Sequence, residues 1–161
     1  MKRLILTLIL ALAGMSLFAA TTGTLILTGT VAASTNITVT PQAVFPLDLT
    51  INQTNLLVAV VNEQSNDHLG YTVTVASLNL AGVGTQPFFK DSASGDTLNY
   101  TLQYNGSAVV FASGVATVTS AGAKTVPAGV NNNLNISYVG SGALSASNAY
   151  TDTLTFTISG K

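Results

Sequence analysis

The sequence predicts an all-β domain, an antiparallel sandwich of about eight or nine short strands that follows an N-terminal export signal. Three observations carry this expectation. Apolar and polar residues alternate with the period of a strand at intervals of roughly ten to twenty positions. Clusters of Gly, Asn, Ser and Asp separate those runs. No stretch beyond residue 20 repeats its apolar positions with helical spacing.

Lys2 and Arg3 open the chain, an apolar run covers 4–12, and small residues dominate from Ala13 to Ala20. Basic, apolar, then small is the layout of a secretory signal, with cleavage expected after Ala19 or Ala20. An uncleaved anchor competes, because the apolar run approaches the roughly 20 residues that span a bilayer. The small-residue ending and the immediate change to Thr-rich sequence favour cleavage. Residues 1–20 are therefore read as a signal peptide and 21–161 as one domain, long enough to bury its own core.

Leu25, Leu27 and Val31 alternate with Thr24, Thr28 and Thr30, and Ile37 and Val39 with Asn36, Thr38 and Thr40. Both segments read as half-buried strands. Pro41 and Pro46 confine the next stretch of chain to an edge or a loop, since proline cannot donate to a ladder. The run 56–61 is continuously apolar, as in a strand buried on both faces. Residues 62–70 read as a polar turn, and Tyr71, Val73 and Val75 then alternate with Thr72, Thr74 and Ala76. These two runs are expected to pair as a long-looped hairpin. Residues 80–97 are rich in Gly, Pro, Ser and Asp and read as a loop.

Alternation returns at Leu98, Tyr100, Leu102 and Tyr104 and ends at Asn105-Gly106, the strongest short-range signal for a two-residue hairpin turn, with Val109 and Phe111 on the return strand. Val115 and Val118 mark a further strand, Leu134, Ile136 and Tyr138 another, and Tyr150, Leu154, Phe156 and Ile158 the last. In that last run Leu154, Phe156 and Ile158 share one face and Thr153, Thr155 and Thr157 the other. The C-terminus is thus expected to be an integral strand. The architecture these elements suggest is immunoglobulin-like, without the tryptophan and cysteine pair of antibody domains.

Composition narrows the function. Beyond residue 20 there are three lysines, no arginine and six acids, a balance that argues against nucleic acid. The absence of cysteine removes disulfides, thiolate metal sites, thiol nucleophiles and lipid attachment through cysteine. Only 7% of residues are charged while β-branched residues abound, so a folded Thr, Ser and Asn surface is expected rather than disorder.

Candidate chemistry is sparse. His68 stands beside Asp67 and near Glu63, but one His and two acids complete neither a zinc shell nor a triad. The three read as a solvated turn whose joint replacement by Ala leaves the fold intact. Asp91 and Asp96 flank a Ser- and Gly-containing loop and read as its caps rather than as calcium ligands. Ser65 and Ser107 lack the nucleophile-elbow context, no phosphate or dinucleotide loop is present, and the six scattered acids give glycoside hydrolysis little support. Five Asn-x-Ser/Thr sequons, at Asn36, Asn52, Asn99, Asn105 and Asn135, are expected from composition alone. Tyr100, Tyr104 and Tyr138 fall on the apolar phase of their strands and read as core rather than as a sugar platform. No enzyme activity and no cofactor is expected.

Three segments together resemble the bacterial spore coat protein U and chaperone–usher pilin group. They are 28–39, with its Thr-Gly-Thr-Val-Ala-Ala start; Glu63-Gln64-Ser65-Asn66 leading into 70–75; and the closing 150–158. The resemblance implies an incomplete sandwich that receives a strand from a second subunit or from a periplasmic chaperone. On that reading Leu25, Leu27 and Gly29 belong to a donor segment, and Leu154, Phe156 and Ile158 border the acceptor groove. The same three N-terminal residues can equally be the first strand of a complete domain. The implied function is a secreted, periplasmic or cell-surface structural or adhesive subunit, fimbrium-like, with no stable membrane span after signal cleavage. The alternative is a stand-alone secreted module that recognises carbohydrate or a surface partner through loops at one end of the sandwich.

Overall fold

A computed structural model describes residues 22–161 except 44, 81, 83, 126 and 148. The signal peptide read at residues 1–20 lies outside the described residues. The first sheet strand begins at Thr35, and no helix occurs among the described residues. None is therefore long and apolar enough to cross a membrane.

The eleven strands are β1 Thr35–Pro41, β2 Gln53–Ser65, β3 Tyr71–Ser77, β4 Phe88–Asp91, β5 Thr97–Asn99, β6 Thr101–Tyr104, β7 Ser107–Ala108, β8 Val115–Ala121, β9 Val130–Tyr138, β10 Tyr150–Thr151 and β11 Leu154–Gly160. They form three sheets in the orders β1-β2-β9-β6-β7, β11-β3-β8 and β10-β4-β5. Every pairing is antiparallel.

One core joins the sheets. Val61, Leu102, Tyr104, Leu134 and Ile136 from the first sheet meet Val75 and Ala116 from the second, and Phe89 of the third packs on them. Its ring centroid lies 4.7 Å from that of Tyr100 and 6.0 Å from that of Tyr138. All three tyrosines assigned to the core from their strand phase are buried. The residues that alternate outward on β6 and β9 are exposed, as at Gln103 and Asn133, or half-buried, as at Asn135 and Ser137, in the period of two that a strand requires.

Several expectations hold in the turns. Asn105 and Gly106 take φ of 48° and 81° between Gln103↔Ala108 and Tyr104↔Ser107, the two-residue hairpin that their sequence signals. The C-terminal strand is integral: β11 pairs with β3 from Leu154↔Ser77 to Gly160↔Tyr71.

Four expectations are corrected. The alternation of Leu25, Leu27 and Val31 makes no strand, because alternation supplies a face but no hydrogen-bonding partner. The polar turn expected at 62–70 starts only at Asn66, since β2 runs on through Ser65. Nor are β2 and β3 a hairpin: β2 lies between β1 and β9, and β3 lies between β11 and β8. The chain changes sheets at 66–70, where Gly70 has φ of 95° and a Cβ there would collide with the Ala121 carbonyl oxygen. Only glycine fits that crossing. The loop read at 80–97 also contains a strand, β4, which β10 and β5 hold on either side.

Leu134→Ala should lower unfolding stability by about 2–5 kcal/mol, as for other fully buried leucines, because Leu134 is buried at the centre of the shared core. Leu69→Ala, at an exposed position, should stay within about 0.5 kcal/mol. Urea titration followed by circular dichroism measures both.

Candidate functional site

Glu63 occupies an inward position of β2, in phase with Ala59 and Val61, and is 0% exposed. Its carboxyl group accepts hydrogen bonds from Tyr71 of β3 (3.0 Å, to Oε2), Tyr104 of β6 (2.5 Å, to Oε1) and Thr119 of β8 (2.8 Å, to Oε1). Burying a carboxyl group costs several kcal/mol unless its oxygens are satisfied, and three hydroxyls from both large sheets satisfy this one without a cation. The solvated turn read for Glu63, Asp67 and His68 is therefore corrected at its first member. Asp67 and His68 do lie in the turn, with His68 exposed and its Nδ1 3.9 Å from Asp67 Oδ1. Asp67 instead caps the turn by accepting the Leu69 N–H at 3.0 Å.

Burial raises the Tyr71 phenol to about 12, and the hydrogen bond to Glu63 and its charge add to the effect. Burial acts first on Tyr104 as well, again with Glu63 behind it. A second acid plays a similar part. Asp152 accepts from Ser77 Oγ (2.7 Å), the Asn79 N–H (3.1 Å) and Tyr100 OH (2.5 Å), and Tyr100 is raised by burial with Asp152 next.

Asp91 accepts from the Ala93 and Ser94 N–H groups and from Ser94 Oγ, while Asp96 accepts from the Ser145 N–H and Tyr150 OH. Hydrogen bonding holds both carboxyls below their usual value, the Ala93 N–H leading for Asp91 and the Ser145 side chain, followed by its N–H, for Asp96. They cap loops, as their sequence context suggests. Among the described residues no group of three or more His, Cys, Asp or Glu could hold a metal ion.

The residues singled out for strand exchange fall in two places. Leu25 and Leu27 lie in the segment before the sheets, 81% and 85% exposed, and a Cβ at Gly29 would touch nothing. Leu154, Phe156 and Ile158 lie on β11, each half-buried. Phe156 reaches the core, its ring centroid 6.1 Å from that of Tyr104.

Among the described residues β11 pairs only with β3 and β1 only with β2, so each has one edge that no described strand covers. The two strands come within 8 Å of each other without a ladder between them. Val39 of β1 is opposite fully buried Val61 and takes the inward phase, yet it is 43% exposed. Beside it Ile37, opposite Glu63, is half-buried. The inward face of β1 is thus only partly covered, at Val39 most of all. Sequence reasoning missed Val39 because its alternation marks which way it points and not whether anything lies over it.

No protein-family model matches the chain, and no curated protein matches it.

Glu63→Ala should destabilise the fold by about 3–5 kcal/mol, since it leaves two buried phenols and the half-buried Thr119 hydroxyl without their acceptor. Glu63→Gln, which keeps the shape, should cost less. Raised phenols also give an alkaline limit. The folded protein keeps the Tyr71 proton up to about pH 12, whereas an unfolded tyrosine loses it near pH 10. This stabilisation is complete below about pH 10 and lost as the pH climbs towards 12. Far-ultraviolet circular dichroism should therefore fall together with the rise of tyrosinate absorbance; tyrosinate appearing near pH 10 without loss of fold would contradict it.

Proposed function

We propose that the chain is an exported structural or adhesive subunit, an immunoglobulin-like sandwich completed by β-strand addition from a second copy or a periplasmic chaperone. It works without cofactor or catalysis, at the cell surface, in the manner of a fimbrial subunit. One observation carries the reading: Val39 is open to solvent on the inward phase of β1, beside the free edge of β11 with its half-buried Leu154, Phe156 and Ile158. An added strand would satisfy the unpaired backbone groups and cover these side chains in one step.

The donor in this proposal is the segment 22–34 of another copy. Leu25, Leu27, Gly29 and Val31 repeat with a period of two, so they would point together into the acceptor, with Thr24, Thr28 and Thr30 facing water. A strand inserted between two others needs them about 10 Å apart, twice the strand spacing. Because β1 and β11 come within 8 Å, the incoming strand must part them at that point. Exchange is then slow to start and hard to reverse.

Leu25→Asp with Leu27→Asp should leave the circular dichroism spectrum unchanged, since neither residue lies in a sheet, and should abolish polymers in size-exclusion chromatography. A peptide with the wild-type sequence of residues 22–34 should bind this variant and raise its thermal midpoint; at a hundredfold excess over Kd the gain is about 2.7 kcal/mol. Persistent polymers, or a double variant that fails to fold even with the peptide, would falsify the assignment.

A further inference from the structure

We infer that the groove between the bulged end of β2 and the β5–β6 crossing is a binding site for a neutral oligosaccharide. The groove is open, holds about 700 Å³ and is built by strands rather than by a free loop. That volume lies within the ~300–1,000 Å³ typical of small-ligand sites. On one side β2 pairs Gln53 with Tyr138 and then Leu56 with Ile136, so Thr54 and Asn55 stand opposite the single residue Ser137. This bulge is stitched in place: the Asn55 N–H donates to Ser137 Oγ at 2.8 Å, and Asn135 Nδ2 donates to the Asn55 carbonyl at 3.0 Å. Thr54 is thereby carried outward on a fixed backbone.

On the other side the chain leaves the third sheet at Asn99 and joins the first at Thr101. Buried Tyr100 is the pivot, its N–H donating to the Pro87 carbonyl at 3.0 Å while Gln86 Nε2 donates to the Tyr100 carbonyl. Tyr100 and Tyr138 lie at the floor, and Val139, 73% exposed, gives the rim an apolar spot.

The chemistry of the lining selects the ligand. Among the described residues no charged one lines the groove, which removes the attraction that an ion, a phosphate or a charged peptide would need. The carboxamides of Gln53 and Asn99 and the hydroxyls of Thr54 and Thr97 also line it, and they make no hydrogen bond to other described residues. Each of these groups both donates and accepts, and so does each hydroxyl of a sugar. The apolar spot at Val139, beside half-buried Leu98, suits the C–H face of a pyranose ring. An open groove admits a chain of sugars where a closed pocket would take one. This site is separate from the β1 and β11 edges, so it stands or falls independently of strand exchange.

The test is titration of the purified protein with cellohexaose, fully N-acetylated chitohexaose and mannohexaose, followed by backbone-amide NMR, with an oligomer of polygalacturonic acid as the anionic control. The expected result is saturable shifts with at least one neutral hexamer, confined to residues 52–54, 97–101 and 137–139, and none with the anionic one. Gln53→Ala with Asn99→Ala should weaken that binding about tenfold or more, the equivalent of one lost hydrogen bond of ~1.4 kcal/mol. Thr97→Glu, at an exposed position, should weaken it similarly without touching the core. Shifts with none of the three hexamers, shifts centred elsewhere, equal binding of the anionic oligomer, or unchanged affinity in both variants would each overturn the inference.

Discussion

The carboxyl group of Glu63 is the constraint on which the rest of the structure depends. It lies at zero exposure in a chain without disulfides, and its three hydroxyl partners come from β3, β6 and β8. A group of this kind is tolerated only when every partner is in place. It therefore fixes the register of four strands at once: a slip of one residue in β2 would turn Glu63 outward and leave two buried phenols and the half-buried Thr119 hydroxyl without their acceptor. Hydrophobic burial supplies most of the stability of such a domain, but apolar packing tolerates repacking, whereas this cluster has a single solution.

Two irregularities in the ladders make the cluster possible. Leu56 and Ala59 both face the core although they are an odd number of residues apart, because the pairing shifts between Leu57↔Asn135 and Ala59↔Leu134. That shift places Glu63 on the inward phase. In β8 the shift between Val73↔Thr119 and Thr74↔Thr117 does the same for Thr119, so that Ala116 and Thr119 both point inward. Bulges re-aim side chains, and here each re-aims one member of the same hydrogen-bonded group. Asp152 repeats the theme with Tyr100 and Ser77. Acids in this molecule serve hydroxyl and amide donors; the sole acid–base contact among the described residues is the 3.9 Å approach of His68 to Asp67.

These features explain which parts of the fold were legible in the sequence. The strands around Tyr71, Leu102, Leu134 and Phe156 announced themselves through a clean period of two, and Asn105-Gly106 announced its turn, because both signals are local. The extension of β2 through Asn62-Glu63-Gln64-Ser65 did not, since those residue types also make turns and only the facing tyrosines distinguish the two cases. Pairing partners were equally hidden: β2 and β3 are neighbours in sequence, yet a sheet change at Gly70 separates them. The oligosaccharide groove proposed at the β2 bulge depends on a shift of register, which leaves no mark on a single strand. The segment around Leu25 misled in the opposite direction, having the pattern of a strand without a place in the sheets.

The free edges bear on the proposed strand exchange through what they lack. Natural sheets guard exposed edges with lysine, inward charges, proline or short length. β1 reads Thr-Asn-Ile-Thr-Val-Thr-Pro and β11 reads Leu-Thr-Phe-Thr-Ile-Ser-Gly: neither carries a charge, each is seven residues long, and the single proline sits at the end of β1. Lys161 comes directly after β11 but is turned back on the fold, its Nζ donating to Ser120 Oγ at 3.0 Å and to the Ala121 carbonyl at 2.7 Å. A sheet edge so composed is a template for another strand, and a Thr-alternating strand with apolar residues in the opposite phase is its complement. The segment 22–34 follows that pattern except at Ile26, which stands in the threonine phase. An unguarded edge and a segment of similar pattern that lies outside the sheets, tied down only at Ala32 and Ser34 by Asn66 among the described residues, are a liability in a monomer and an assembly rule in a polymer, and the proposed function takes the second sense.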